Sequence, residues 1–243
     1  MDPAVVGAIP ARYASTRLPG KALAPIAGRP MIEHVYRRAR EVEGLDRVIV
    51  LTDDERIRQA VEAFGGEAQM TPEDCASGTD RIAWAARTWT AAAVVNLQGD
   101  EPLVDPAAVR RLAQHLRRFP DDPLVTLAAP ATRRELEEPS SVKVVTDRRG
   151  YALYFSRAAI PYARTPGVAR PLKHIGIYGY QRRALLHMAE LEPTPLERTE
   201  GLEQLRALEN GMPIRVLEVT DSSPGVDTPE DLERVRRLVE AEP

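Results

Sequence analysis

At 243 residues, 43% hydrophobic and 28% charged, the chain can bury one large core and has the composition of an ordinary soluble globular protein. A net charge of −3, with no long run of either sign, argues against nucleic-acid and membrane-surface partners. The lone cysteine, Cys75, excludes an intrachain disulfide, and no basic leader or membrane-spanning apolar stretch occurs, so a cytoplasmic location is expected.

In chain order, Ala4 to Ile9 reads as a short buried strand, followed by the cationic loop Pro10-Ala-Arg-Tyr-Ala-Ser-Thr-Arg-Leu-Pro-Gly-Lys21. Gly28-Arg29-Pro30 opens a helix with proline at its first position and an apolar face running from Met31 to Val42, ended by Gly44. A second strand spans Arg47 to Leu51 and closes on Thr52-Asp53-Asp54. A helix over 55–64, a short strand at 67–70 and a helix capped by Ser77 and Asp80 come next. Ala93 to Leu97 is a strand that ends in Gln98-Gly99-Asp100-Glu101-Pro102, and Asp105-Pro106 caps the following helix. Strand and helix alternate four times with short connections, which predicts a parallel sheet covered on both faces.

From Leu124 onward the pattern changes. Strands are expected at 124–129 and 142–146, the latter joined to Tyr151–Phe155 by the turn Asp147-Arg148-Arg149-Gly150. Residues 161–173 read as a proline-rich loop, His174–Tyr180 as a strand, and a helix follows to about Leu191. One helix carries Leu202, Leu205 and Leu208, Pro213–Val219 is a strand, Asp221–Val226 a loop, and Thr228 caps a final helix.

Several residues could carry chemistry. Arg12 and Lys21 follow the first strand, where ligands of open α/β sheets bind, and cationic donors there suit phosphates. Lysine is rare in this chain: 3 of its 33 basic residues, at positions 21, 143 and 173. Asp100, past a buried strand, suits Mg²⁺ or serves simply as a turn residue. Asp227 stands just outside the Thr228 cap and is either a ligand or an acid favoured by the helix dipole. Ser77, Gly78 and Arg81 form a helix start that could receive a flat ligand or be an ordinary cap. Cys75 and the histidines at 34, 115 and 187 read as structural. His174, Tyr178, Glu203 and Gln204, taken alone, read as core or surface positions. No Walker A motif and no Gly-x-Gly-x-x-Gly motif is present.

Five motifs occur together in order: residues 9–21, Asn96-Leu-Gln-Gly-Asp-Glu-Pro102, Tyr151-Ala-Leu-Tyr-Phe-Ser-Arg157, His174-Ile-Gly-Ile-Tyr-Gly-Tyr180 and Gly225-Val-Asp-Thr-Pro-Glu-Asp-Leu232. Across its whole length the chain resembles the 3-deoxy-manno-octulosonate (Kdo) cytidylyltransferases. The first motif is shared more loosely with sialic acid cytidylyltransferases, while the other four together are specific to the Kdo enzymes. The resemblance implies a Rossmann-like three-layer α/β sandwich of the nucleotide-diphospho-sugar transferase type. It implies a single domain over 1–243, with a CTP-binding core at 1–130, a sugar-binding and dimerisation part at 131–212, and a return to the core at 213–243.

The implied reaction is CMP transfer from CTP to a Kdo-type sugar acid with Mg²⁺, for lipopolysaccharide biosynthesis, by a homodimer. Arg12 and Lys21 would grip the triphosphate, with Asp100 and Asp227 on the metal. Ser77, Gly78 and Arg81 would line the cytidine and sugar pockets, and Gln98, His174, Tyr178, Glu203 and Gln204 would contact the sugar acid. Lys173 stands where the family pattern leads one to expect arginine, and no residue recommends itself as a dedicated general base. Two rivals are an 8-amino-Kdo or other sugar-acid acceptor and a catalytically silent CTP-sensing module.

Overall fold

The structure is a computed structural model and describes residues 4–14, 18–165, 167–168, 170–220 and 223–241. Ser15, Thr16 and Arg17 of the first loop, and Asp221 at the start of the loop before the last helix, lie outside the described residues.

Strand β1 (Val5–Ala11) leads through a short 3₁₀ turn at Lys21–Leu23 to a small ribbon, β2 (Pro25–Ile26) and β3 (Arg29–Pro30), and then to α1 (Met31–Arg40). Next come β4 (Arg47–Thr52), α2 (Glu55–Ala63), β5 (Ala68–Met70), α3 (Gly78–Ala86), β6 (Ala93–Asn96) and α4 (Pro106–Arg118). The second half holds β7 (Leu124–Pro130), α5 (Arg133–Glu137), the hairpin β8 (Lys143–Thr146) and β9 (Ala152–Ser156), and β10 (Leu172–Gln181). It ends with α6 (Arg182–Met188), α7 (Pro195–Glu200), α8 (Gln204–Glu209), β11 (Ile214–Glu218) and α9 (Pro229–Ala241).

Among the described residues the main sheet has the order β11-β7-β10-β6-β1-β4-β5, with the β8–β9 hairpin attached through β8 to β10. β1 pairs in parallel with both β4 and β6, and β4 with β5, as the strand–helix alternation predicts. β10 enters between β6 and β7 and runs antiparallel to both. The sheet is therefore continuous through residues 1–130, 131–212 and 213–243.

Alternation along β1 shows why there are three layers. Val5 and Ile9 pack with Ile32 and Val35 of α1, Ile57 of α2 and Leu112 of α4. Val6 and Ala8 point the other way, to Ile82 of α3, Leu185 of α6 and Leu205 of α8. A strand buried on both faces must be apolar at every position, and β1 is. A third, smaller cluster joins Ile26 and Met31 to Val226, Leu232 and Val235, which seats α9 against the β2–β3 ribbon.

Several local expectations change. Pro30 is the cap of α1 and not its first residue, because its extended backbone pairs in the β2–β3 ribbon. α1 ends at Arg40, before Gly44. The helix expected over Leu202, Leu205 and Leu208 is α8, which starts only at Gln204 and leaves Leu202 ahead of it; α7 was not expected, and it ends at Gly201, whose φ of 63° lies in the left-handed region. Helix α5 was not expected. It carries its own capping box at Thr132 and Glu135, and Lys173 holds it to β10 by an ion pair with Glu135 at 2.8 Å. Burial is minor there, and the Lys173 hydrogen bond is the main cause that lowers the Glu135 carboxyl to about 2.

Gly179, in the middle of β10, lets α4 lie directly on the sheet. A Cβ added there would stand 2.8 Å from Leu116 Cδ1 and 2.8 Å from Val125 Cγ1. Gly179→Ala is expected to overpack this contact and lower the unfolding free energy by about 1–3 kcal/mol, read by chemical denaturation.

Candidate active site

The carboxyl ends of β1 and β6 and the amino end of α3 open onto one cleft of about 450 Å³, which also receives Lys21 and Asp227. Close approach of these ends depends on two glycines around Pro10. A Cβ on Gly99 would lie 2.9 Å from the Pro10 carbonyl oxygen, and one on Gly78 would lie 3.1 Å from its ring. Backbone of three elements thus meets where a side chain would force them apart.

Asp100 and Asp227 come from opposite halves of the chain and are joined through the backbone. The Val226 amide donates to the Asp100 carbonyl at 2.9 Å, so the residue after Val226 is delivered beside Asp100. Thr228 and Asp231 cap α9 reciprocally, and Asp227, just ahead of them, lines the cleft. Asp231 accepts from the Asp227 and Thr228 amides at 3.2 and 3.1 Å, and its own amide donates to the Thr228 hydroxyl. Lys21 completes the arrangement. Its ammonium donates to Asp100 Oδ2 at 2.5 Å, to the Val226 carbonyl at 3.0 Å and to Asp227 Oδ1 at 3.3 Å. One positive charge stands between two carboxylates.

Arg12 lines the same cleft, is exposed, and makes no hydrogen bond or ion pair with the described residues. Ser77 is the N-cap of α3: its hydroxyl accepts from the Asp80 amide at 3.1 Å and donates to the Asp80 carboxylate at 3.0 Å. The positive end of α3 therefore faces the cleft with Gly78 as its first residue. Arg81 lines the cleft too, but its guanidinium is buried and committed. It pairs with Asp53 Oδ2 at 2.5 Å, with the Thr71 hydroxyl, and with the Pro72 carbonyl at 3.3 Å. Asp53 and Thr71 escaped the sequence reading; the only signal was their position just past β4 and β5, the edge of the same parallel set. Cys75, read as structural, is in fact a cleft residue.

Gln98 connects the cleft to β10 by donating to the Gly176 carbonyl at 2.8 Å. His174, Tyr178, Glu203 and Gln204 do not line the cleft; His174, Tyr178 and Glu203 form a second group. The rings of Tyr178 and His174 lie 5.3 Å apart and those of Tyr178 and Tyr180 5.9 Å apart. Burial, Tyr180 and Glu203 together push the Tyr178 hydroxyl well above its ordinary pKa, which places the start of α8 beside this group. Tyr178 lies opposite Asn96 in the β10–β6 register, and its hydroxyl and Asn96 Oδ1 are buried with no partner among the described residues. Two orphaned polar atoms on one strand pair are a place where a polar ligand would restore lost hydrogen bonds. Next to Asp100, burial first and the Asp100 charge second push the Glu101 carboxyl up to about 8, with Lys173 opposing.

A family model for cytidylyltransferases matches residues 6–214. A 3-deoxy-manno-octulosonate cytidylyltransferase of Myxococcus xanthus is 53% identical over 97% of this chain and 96% of its own length. The chain belongs to the 3-deoxy-manno-octulosonate cytidylyltransferase family. Within that family's range, an 8-amino-3,8-dideoxy-manno-octulosonate cytidylyltransferase of Shewanella amazonensis is 49% identical over 93% of this chain and 94% of its own length. A solved structure of CMP:2-keto-3-deoxy-manno-octonic acid synthetase complexed with CTP superposes with a TM-score of 0.96 at 50% identity, covering 99% of this chain and 100% of that one. The nucleotide-diphospho-sugar transferase fold is that of this family member.

Removing the ammonium takes away the charge that stands between two neighbouring carboxylates and deprives the cleft of a fixed cation. Lys21→Ala is expected to lower kcat on the order of 10²-fold, as for loss of one preorganised stabilising donor, with steady-state kinetics in CTP as the readout.

Proposed function

We propose that the protein is a cytidylyltransferase that activates Kdo: CTP and Kdo give CMP-Kdo and diphosphate, supplying the activated sugar for lipopolysaccharide biosynthesis. The observation that carries this reading is the convergence of Lys21, Asp100 and Asp227 in the cleft that Arg12 and the start of α3 also line. In the transfer, the anomeric hydroxyl of the sugar acid forms a new bond to the α-phosphorus of CTP while the bond to the diphosphate breaks. The protein's part is positioning and charge neutralisation.

Each residue has a share in that work. Arg12 is free of protein partners among those described and suits the triphosphate, with Lys21 as the second cation. The start of α3 offers backbone N–H groups and the helix dipole to the nucleotide, and Arg81, held by Asp53, gives the cleft wall a fixed shape. Gln98, His174, Tyr178, Glu203 and Gln204 take the sugar acid, with the orphaned Tyr178 hydroxyl as an unused donor.

The donor set fits Mg²⁺. Asp100 and Asp227 are hard oxygen donors that already share one cation, Lys21, and Mg²⁺ typically uses one or two carboxylates together with waters and substrate phosphates. Among the described residues no group of three or more His, Cys, Asp or Glu converges, so two carboxylates are the protein's share. Bound there, Mg²⁺ would neutralise charge developing on the phosphoryl oxygens.

Part 131–212 leaves Leu153, Tyr162, Val168 and Leu196 exposed, which supports the homodimer reading. No helix among the described residues is long and apolar enough to cross a membrane. Action in the cytoplasm belongs to the same proposal.

Incubation with CTP, Mg²⁺ and Kdo is expected to release diphosphate in step with CMP-Kdo. CTP binding without diphosphate release would instead make the chain a silent nucleotide module. The 49% identity to an 8-amino-Kdo enzyme makes that acceptor the specific rival, and competition between the two acids is expected to favour Kdo in kcat/KM. Asp100→Asn is expected to abolish turnover with an unchanged circular dichroism spectrum; near-normal turnover at low Mg²⁺ would remove Asp100 from the metal.

A further inference from the structure

Strand β10 does not pair with β7 in uniform register. The pairing shifts between Ile175 and Tyr178, and Thr126 of β7 faces this irregular segment. The Thr126 side chain is fully buried, and its hydroxyl oxygen meets three groups: the Ile177 carbonyl at 2.9 Å, the Ile175 carbonyl at 3.2 Å and His174 Nε2 at 3.0 Å. Gln98 holds the same segment from the β6 side through the Gly176 carbonyl.

A hydroxyl has one proton and two lone pairs, and a carbonyl oxygen can only accept. Were the Thr126 proton given to His174, the hydroxyl oxygen would face two carbonyl oxygens at 2.9 and 3.2 Å with no proton between them. In a buried setting that arrangement is repulsive and makes one hydrogen bond where two are available. Given to the Ile177 and Ile175 carbonyls, the proton leaves the Thr126 oxygen able to accept. His174 Nε2 is then the donor.

We infer that Thr126 is a positioning residue that locks His174 in its Nε2–H tautomer and leaves Nδ1 as a hydrogen-bond acceptor for a hydroxyl of the sugar acid. Only the last clause rests on the proposed function; the tautomer follows from the protein's own hydrogen bonds. No described residue bonds Nδ1, and the ring otherwise packs edge-on to Phe155 at 5.0 Å and tilted against Tyr178 at 5.3 Å. Part of the residue reaches solvent, yet the ring is packed among these neighbours, and burial pushes its pKa down to about 3. The imidazole is therefore neutral at pH 7 and has a single N–H, so its tautomer decides what it can recognise. A lone-pair acceptor selects a hydroxyl and disfavours a carboxylate at that point.

The test reads the tautomer directly. In protein labelled with ¹⁵N-histidine and free of substrate, ring ¹⁵N–¹H correlations assigned by loss of signal in His174→Gln are expected to show the neutral Nε2–H pattern at pH 7. A Nδ1–H pattern, or an imidazolium, would overturn the inference. Thr126→Val keeps the β-branched shape and removes the hydroxyl. It is expected to lose the single-tautomer pattern and raise KM for Kdo roughly tenfold, the size of one lost hydrogen bond, with KM for CTP unchanged. Thr126→Ser is expected to restore both. An unchanged tautomer in Thr126→Val, or equal changes in both KM values, would overturn the positioning role. Because the spectrum is recorded without substrate, a wrong acceptor removes only the KM difference and leaves the tautomer result standing.

Discussion

The cleft is organised by one ammonium between two carboxylates. Lys21 brings together the loop after β1, the turn that follows β6 and the segment just ahead of α9, three pieces that share no secondary structure. Two carboxylates sharing one site repel each other, and the ammonium between them offsets that repulsion. The same attraction holds two carboxylates side by side at the mouth of the cleft. Side-chain exposures of 16% for Lys21 and 50% for Asp227 show a site open enough for a ligand to enter and compete.

Around that centre, the sheet explains why the pieces arrive where they do. Parallel pairing of β1 with β4 and β6 puts three strand ends on one edge, and β1's apolar run on both faces obliges helices to cover both sides. Loops at that edge are free to differ in composition because the layers beneath are closed. Pro10 packed between Gly78 and Gly99 is a close joint, and it keeps the helix start and the two strand ends at backbone distance.

Antiparallel insertion of β10 is the second organising feature. It takes a strand from the chain's second half and lays it beside β6, whose end bears Gln98 and Asp100. Gln98 then bridges the cleft and β10 by a hydrogen bond to Gly176, while Thr126 steadies the irregular register from the other side. The α5 helix, tied to Lys173 by Glu135, is a further attachment to the same strand. The cleft and the His174–Tyr178 group thus rest on one continuous sheet.

The sequence by itself determined the local elements and the chemistry classes. Apolar periodicity marked the strands and the long helices, turn residues marked the Asp147–Gly150 hairpin, and the ordered motifs carried the family. It did not show α7, because Leu196 is the one apolar side chain besides proline in Pro195–Glu200, and six residues are too short to display a helical period. It also did not reveal Asp53 or Thr126: an acid after a strand and a threonine within one are ordinary in sequence, and their meaning comes from distant partners. Only the tertiary structure decided that Lys21 stands between Asp100 and Asp227, that Arg81 is committed to Asp53, and that His174 shares its hydroxyl partner with two carbonyls. The physical reason is common to all three. Sequence pattern reports which side chains a local element offers, whereas charge pairing and the direction of a hydrogen bond depend on groups brought together across the sheet.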